Sequence, residues 1–212
     1  MSLKDDLFYD ILDDQRRALL PLFLDFKSDF YLAGGTGLAL QIGHRDSVDF
    51  DLFNTKSFST DELFKKVLVV FSGKEVKNIQ EDRDTLSVLV DKKVNISFFI
   101  YQYPLLEPLI RGKYFDLCSL VDIGCMKLSA LISRAMQKDY VDLYFISQKV
   151  ELARLLGAVE KKLPMLDYNL VLKSLVYFED LVEEPINYKN DNEVDFEVVK
   201  SFFRGKLKSY FD

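Results

Sequence analysis

The chain has 212 residues, 49% of them apolar, with a net charge of −6; this fits one domain, or one with a modest appendage, and leaves enough apolar mass for a sizeable core. The acidic balance excludes a protein that coats nucleic acid through bulk charge, although it is compatible with a local basic groove. Two cysteines, Cys118 and Cys125, match no zinc spacing and read as reduced, buried thiols, no apolar run approaches the roughly 20 residues that span a bilayer, and Met1 to Asp10 lacks a signal-peptide core, so a cytoplasmic protein with no membrane partner is expected.

In chain order, residues 3–28 carry helical spacing through Leu7, Ile11, Leu12, Leu19, Leu22, Phe23 and Phe26, with Pro21 positioned to kink or split the segment. Phe30 to Ala33 is a short strand ending at a Gly34-Gly35 turn. Thr36 then caps a short helix through Leu38, Leu40 and Ile42. Val48 to Phe53 alternates apolar and acidic residues, as a strand does. Ser59-Thr60-Asp61-Glu62 is a capping box before a helix over residues 60–72. Glu75–Gln80, Thr85–Val90 and Val94–Tyr101 read as strands, and Asp91-Lys92-Lys93 is short enough to turn a hairpin between the last two. Pro104, Pro108 and Gly112 mark residues 102–118 as a loop crossing. Helices are expected over 122–136, 138–148, 150–162, 167–182 and 194–210, and the polar run 183–193 is expected to be an exposed loop. The order gives an α+β chain: a mixed sheet with flanking helices over residues 1–103, followed by a helical part over 104–212.

The chemistry concentrates in residues 34–53, GGTGLALQIGHRDSVDFDLF. Asp49 and Asp51 are two apart on the expected strand, so their carboxylates share a face, with Cβ atoms roughly 6–7 Å apart. That pair can hold one Mg²⁺, or bracket two ions about 3.5–4 Å apart, while Phe50 and Leu52 turn into the core. Mg²⁺ favours carboxylate oxygens and keeps positions open for triphosphate oxygens. Gly34 and Gly35 let backbone N–H groups approach phosphates, and Thr36 adds a hydroxyl at a helix N-terminus that favours anions. Arg45 is a further candidate for a phosphate. His44, the only histidine, leaves no His-based triad and is expected to be structural. A lone Gly-Gly or Asp-x-Asp is usually a turn or a solvated strand face; both together, in strand–glycine–helix–strand order, are far more specific.

This run resembles the nucleotidyltransferase fold superfamily and, more closely, the AbiEii/AbiGii-type toxins of type IV toxin–antitoxin and abortive-infection systems. Gly34-Gly35-Thr36, Leu38-Ala39-Leu40, Gly43-His44-Arg45 and Asp49-Phe50-Asp51-Leu52-Phe53 carry the resemblance. A second stretch does too: Asp122-Ile123, Met126-Lys127-Leu128, Ala130, Arg134 and Lys138-Asp139-Tyr140-Val141-Asp142-Leu143-Tyr144. The resemblance spans roughly residues 28–180. It implies a nucleotidyltransferase fold with a helical C-terminal part, an NTP substrate used with Mg²⁺, and an antitoxin encoded beside the toxin. Some members of the family modify tRNA 3′ ends, so RNA or a protein is the implied acceptor. It also assigns the phosphate-binding lysine to Lys127 and the required aspartate to Asp142, with Asp139 the alternate. Read from the residues alone, Lys127 and Arg134 share a helix face and Asp139 and Asp142 share another, which is equally the pattern of a surface ion-pair set.

One feature departs from the superfamily's pattern, which commonly has a third carboxylate on a later strand. The polar face of Val94–Phe98 offers Asn95 and Ser97, weaker Mg²⁺ ligands than a carboxylate, and no general base is evident. The alternatives to an NTP-using toxin are a nucleotide- or antitoxin-binding module without turnover and a small-molecule nucleotidyltransferase.

Overall fold

The computed structural model describes residues 7–211. A seven-stranded mixed sheet runs through the first half, in the order β3-β4-β5-β2-β1-β7-β6. Its central strand is β2 (Phe50–Asn54), antiparallel to β1 (Tyr31–Leu32) on one side and parallel to β5 (Val94–Ile100) on the other. A meander of β3 (Val76–Asp82), β4 (Thr85–Val90) and β5 forms one wing. Asp91 and Lys92 both adopt positive φ in the hairpin between β4 and β5, with the Asp91 carboxylate accepting from the Glu75 N–H at 3.1 Å. That contact shows why an acidic residue suits the left-handed position.

The expected loop over 102–118 contains two short strands, β6 (Ile110–Arg111) and β7 (Asp116–Leu117), which form the other wing. Segments this short carry no period to read, and their register comes from β1. Within this crossing Leu105, Leu106 and Leu109 pack on the core of the helical half, while Phe115 and Leu117 belong to the core on the other side of the sheet.

The expected helix over 3–28 begins outside the described residues and is broken within them. A 3₁₀ turn (Tyr9–Ile11) precedes α1 (Asp14–Leu19), and a second 3₁₀ stretch (Leu20–Asp25) holds Pro21 in its first turn, where the missing N–H is not needed. Between strands lie α2 (Gly34–Ile42) and α3 (Thr60–Val70), the latter capped by the Ser59 hydroxyl on the Glu62 N–H. The helical half comprises α4 (Leu120–Arg134), α5 (Gln137–Ser147), α6 (Leu152–Lys162), α7 (Tyr168–Ser174) and α8 (Phe196–Phe211). α7 stops short of the expected residue 182. The Tyr140 hydroxyl lies 2.8 and 2.7 Å from the carbonyl oxygens of Ser174 and Tyr177, and it takes acceptors that a longer helix would have used.

The sheet is covered on both faces, and strand alternation sorts the residues. Phe50 and Leu52 pack with Phe23, Phe26 and Phe98 on the N-terminal side. Tyr31 and Phe53 turn to the helical half, joining Ile123, Leu128 and Tyr140. Asp51, between Phe50 and Leu52, therefore faces α4. Among the described residues no helix is long and apolar enough to cross a membrane.

Candidate active site

The carboxylate pair is built by three backbone anchors. β2 starts at Phe50 rather than Val48, because the carbonyls of the two preceding residues are captured by side chains. Arg16 of α1, almost fully buried, donates Nε–H to the Val48 carbonyl at 2.6 Å. The Thr36 hydroxyl donates to the Asp49 carbonyl and lies 2.7 Å from Ser47 Oγ. The Ala33 N–H bonds the Asp51 carbonyl at 3.1 Å. Asp49 is thus exposed at the mouth of a cleft and Asp51 part-buried within it. Thr36 does not cap α2, as expected; its side chain is buried beneath Asp49, and the helix begins at Gly34 with Ala33 in the cap position.

The two glycines are required for different reasons. Gly34 has φ +63°, and a Cβ there would fall 2.5 Å from Asp51 Oδ2. A Cβ on Gly35 would fall 2.8 Å from Arg45 Nη2. The first intrahelical bond of α2 runs from the Gly37 N–H to the Ala33 carbonyl. The N–H groups of Gly34, Gly35 and Thr36 therefore have no helical acceptor, and the glycines line the cleft.

Lys127, on α4, also lines this cleft with Asp51. It is buried, and its ammonium lies 2.6 Å from Asp139 Oδ1 and 2.5 Å from Asp142 Oδ2. The surface ion-pair set read from spacing exists, but it is interior: Asp139 and Asp142 are fully buried. Asp139 also accepts from Arg134 Nε at 2.9 Å. Asp142 accepts from Arg45 Nε and Nη2 at 2.7 and 2.8 Å and lies 2.8 Å from His44 Nε2. Burial alone would push the Asp142 carboxyl up, yet Arg45 and Lys127 hold it well below the usual range. Burial keeps His44 below its ordinary value, so the imidazole is neutral and donates through Nε2. Arg45 is therefore bound to Asp142 and the Asp46 carbonyl, and it also borders a polar hollow with Gly35, Asp49 and Asp51. Asp142 is fully buried and meets the cleft only through Lys127 and Arg45. Three cations, Lys127, Arg134 and Arg45, face two carboxylates here. The surplus positive charge borders the cleft opposite Asp49 and Asp51.

The pair suits a divalent cation. Burial pushes the Asp51 carboxyl up to about 6 and the neighbouring Asp49 charge adds to it, while Lys127 pulls the other way. Asp49 is raised as well, mainly by burial. Two part-desolvated carboxylates that repel are what a bound cation relieves. Ser97 lies directly beside Asp51 in the register of β5, its hydroxyl 2.9 Å from Ser87 Oγ, so that neighbouring position is not acidic. Among the described residues no three His, Cys, Asp or Glu side chains gather into a protein cage. An ion held by Asp49 and Asp51 would take its other ligands from phosphate and water oxygens, as Mg²⁺ readily does.

Sequence reasoning missed several contributors. The cleft, about 400 Å³, continues from Asp51 between the sheet and α4, with Phe53, Phe99 and Tyr101 on the sheet side; the β2 and β5 alternation that placed Asp51 could have found the first two. A second hollow of about 410 Å³ adjoins it and is polar, with Ser47, Lys138 and Asn187 in its wall. The run 183–193 is largely exposed, as expected, but it also clasps residues 43–46. Tyr188 bridges Arg45, the Asp46 N–H bonds the Asn187 carbonyl at 3.0 Å, the Lys189 N–H bonds the His44 carbonyl at 3.0 Å, and Asn190 Nδ2 bonds the Gly43 carbonyl at 3.0 Å. Nothing in that composition signals its target.

The family described as nucleotidyl transferase AbiEii toxin, type IV TA system, matches residues 18–202. An uncharacterized protein of Aquifex aeolicus (strain VF5) is 38% identical over 208 residues, covering 94% of this chain and 97% of that protein. Among solved structures, MenT4, a nucleotidyltransferase toxin from Mycobacterium tuberculosis H37Rv, superposes with a TM-score of 0.65 at 16% identity, over 94% of this chain and 82% of that one. JHP933 from Helicobacter pylori superposes with a TM-score of 0.56 at 15% identity, over 97% and 96%.

Proposed function

The chain belongs to the AbiEii nucleotidyl transferase toxin family of type IV toxin–antitoxin systems, and from that premise we propose that it transfers a nucleotide from an NTP to an RNA acceptor, a tRNA 3′ end foremost, in the cytoplasm. The observation that carries this reading is the Asp49–Asp51 pair, repelling and part-desolvated, set across one cleft from three cations, Lys127 and Arg45 buried and Arg134 exposed, that face only two carboxylates.

In the proposed reaction an acceptor hydroxyl attacks the α-phosphorus, the bond to the bridging oxygen breaks, and pyrophosphate leaves. Asp49 and Asp51 would hold Mg²⁺, which when bound would supply charge neutralisation to the phosphoryl oxygens. The free N–H groups of Gly34 and Gly35 face the triphosphate. Two of the three ammonium N–H groups of Lys127 are committed to Asp139 and Asp142, leaving one to meet a phosphate. Asp142, braced by Arg45 and His44, keeps that ammonium aimed. Arg134 and Lys138 border the adjoining polar hollow, where an acceptor's own phosphates would lie. A protein hydroxyl is the second acceptor class, and a cognate antitoxin encoded nearby is the expected partner.

Ser97 in place of a carboxylate favours a slower catalyst, because no third acidic group stands ready to take the acceptor's proton. The test is incubation with each α-labelled NTP, Mg²⁺ and total tRNA. Label entering tRNA, and lost in Asp49→Ala, supports the reading. Label entering only protein redirects the acceptor, label on an added aminoglycoside alone supports a small-molecule enzyme, and nucleotide bound without label transferred to any acceptor supports a binding module.

A further inference from the structure

The cleft has two chemically different ends. The end at Gly34, Gly35 and Asp51 is polar; the other is walled by aromatic rings of the sheet. Phe53 and Phe99 stack with centroids 5.1 Å apart and planes 29° apart, and Tyr101 stands edge-on to Phe53 at 5.8 Å. Across from them α4 presents Met126 and Ala130, apolar and only partly buried. Such a slot has the chemistry to take a flat ring between an aromatic wall and a soft thioether.

The slot offers few groups that distinguish one base from another. The strand backbones beneath the rings are paired with each other. The Ser133 hydroxyl is spent on the Ala130 carbonyl at 3.1 Å. Lys127 and Arg134 are engaged with Asp139. Apart from the N–H groups that Arg134 and Lys127 keep at the polar end, what remains along the aromatic wall is hydroxyl: Ser129 on α4 and Tyr101 on the sheet side. A hydroxyl donates or accepts as required, so it satisfies any base edge and rejects none. Sites that fix a partner by dedicated hydrogen bonds reject the wrong one by factors of about 10⁴ or more, whereas apolar pockets discriminate only by roughly 10- to 200-fold.

We infer that the nucleobase is held in this slot by stacking on Phe99, with the Tyr101 ring meeting its edge, and is not read, so the chain binds all four NTPs. The inference rests on the nucleotidyltransferase reading. Its test measures binding, by calorimetry with Mg²⁺, of the α,β-methylene analogues of ATP, GTP, CTP and UTP and of inorganic tripolyphosphate. All four analogues are expected within about 100-fold of one another and each at least about tenfold tighter than tripolyphosphate, in keeping with the worth of a base–aromatic stack. Tyr101→Ala should weaken the four analogues alike by about tenfold or more and leave tripolyphosphate unchanged; Tyr101→Phe should bind as wild type. A spread beyond about 100-fold means the base is read and overturns the inference. Analogues no tighter than tripolyphosphate, or unaffected by Tyr101→Ala in a variant that melts normally, remove the base from the slot while nucleotide binding survives. Absence of binding by analogues and tripolyphosphate alike overturns the nucleotidyltransferase reading, and this inference with it.

Discussion

Replacing Asp51 with Asn should make the metal-free protein more stable. The Asp51 carboxyl titrates at about 6 in the fold against an ordinary 3.8, so the folded chain holds this proton more tightly than the unfolded one does. Below about pH 4 both states are protonated and the site has no cost. As pH rises through 4 to 6 the unfolded chain ionises first, and the wild type loses stability relative to the variant. At 1.36 kcal/mol per pH unit, the loss above pH 6 is about 3 kcal/mol. For a chain of this size that corresponds to a melting temperature higher by about 6–12 °C in Asp51→Asn. The assay is thermal or urea denaturation of both proteins with a chelator present, from pH 4 to pH 8. The gap should open between pH 4 and 6, stay constant above, and narrow when Mg²⁺ is added, because only the wild type gains a bound ion. If Asp51→Asn is less stable than wild type at pH 7.5, or the gap does not change with pH, then Asp51 is not a strained carboxylate and the metal-site argument fails with it.

Other perturbations read different parts of the site. Gly34→Ala places a methyl group against Asp51 at a positive φ; it should cost about 1–2 kcal/mol and abolish Mg²⁺-dependent nucleotide binding, which calorimetry would report. Lys127→Ala should raise the NTP KM and suppress transfer, with Lys127→Arg recovering it in part, since a fork replaces a point charge; unchanged kinetics in Lys127→Ala would remove the lysine from the site. Asp142→Asn leaves Arg45 and Lys127 without their shared carboxylate and should destabilise by about 3–5 kcal/mol in urea titrations at pH 7. Because the Asp142 carboxyl is held below its ordinary value, its contribution is present above the unfolded pKa and lost as pH falls through the folded one; the variant's deficit should therefore shrink in acid.

Much of this was legible in the sequence because it depends on period and spacing. The two-residue step from Asp49 to Asp51 gave the shared direction, and Phe50 and Leu52 gave the opposite face; both follow from the pleat alone. The capping of α3 by Ser59 and the hairpin at Asp91–Lys93 are local and were equally readable. What escaped depends on partners remote in the chain. Arg45 carries nothing in its neighbours to say that Asp142, 97 residues away, will claim it. Thr36 sits where a cap is expected, but the Asp49 carbonyl offers its hydroxyl a better acceptor. The strands at Ile110 and Asp116 are too short to show alternation and exist only because β1 has a free edge. Buried ions are read as surface ones whenever sequence shows the charges without the covering helices, as with Asp139 and Asp142.

The clasp of residues 187–190 on residues 43–46 sets an order of assembly. In the growing chain Asp51 leaves the ribosome 136 residues before Asn187. The sheet strands and the carboxylates can gather early, but Arg45 has no brace until Asp142 arrives, and the segment between α2 and β2 has no clasp until the run after α7 follows. Contacts so distant in sequence are slow to form and depend on the intervening helices being in place. A nascent or prematurely terminated chain therefore has the anchors of both carboxylates, Arg16, Ala33 and Thr36, but leaves residues 43–46 unfastened. The polar hollow beside the carboxylates, walled in part by Arg45 and Asn187, is completed only once translation has passed the clasp.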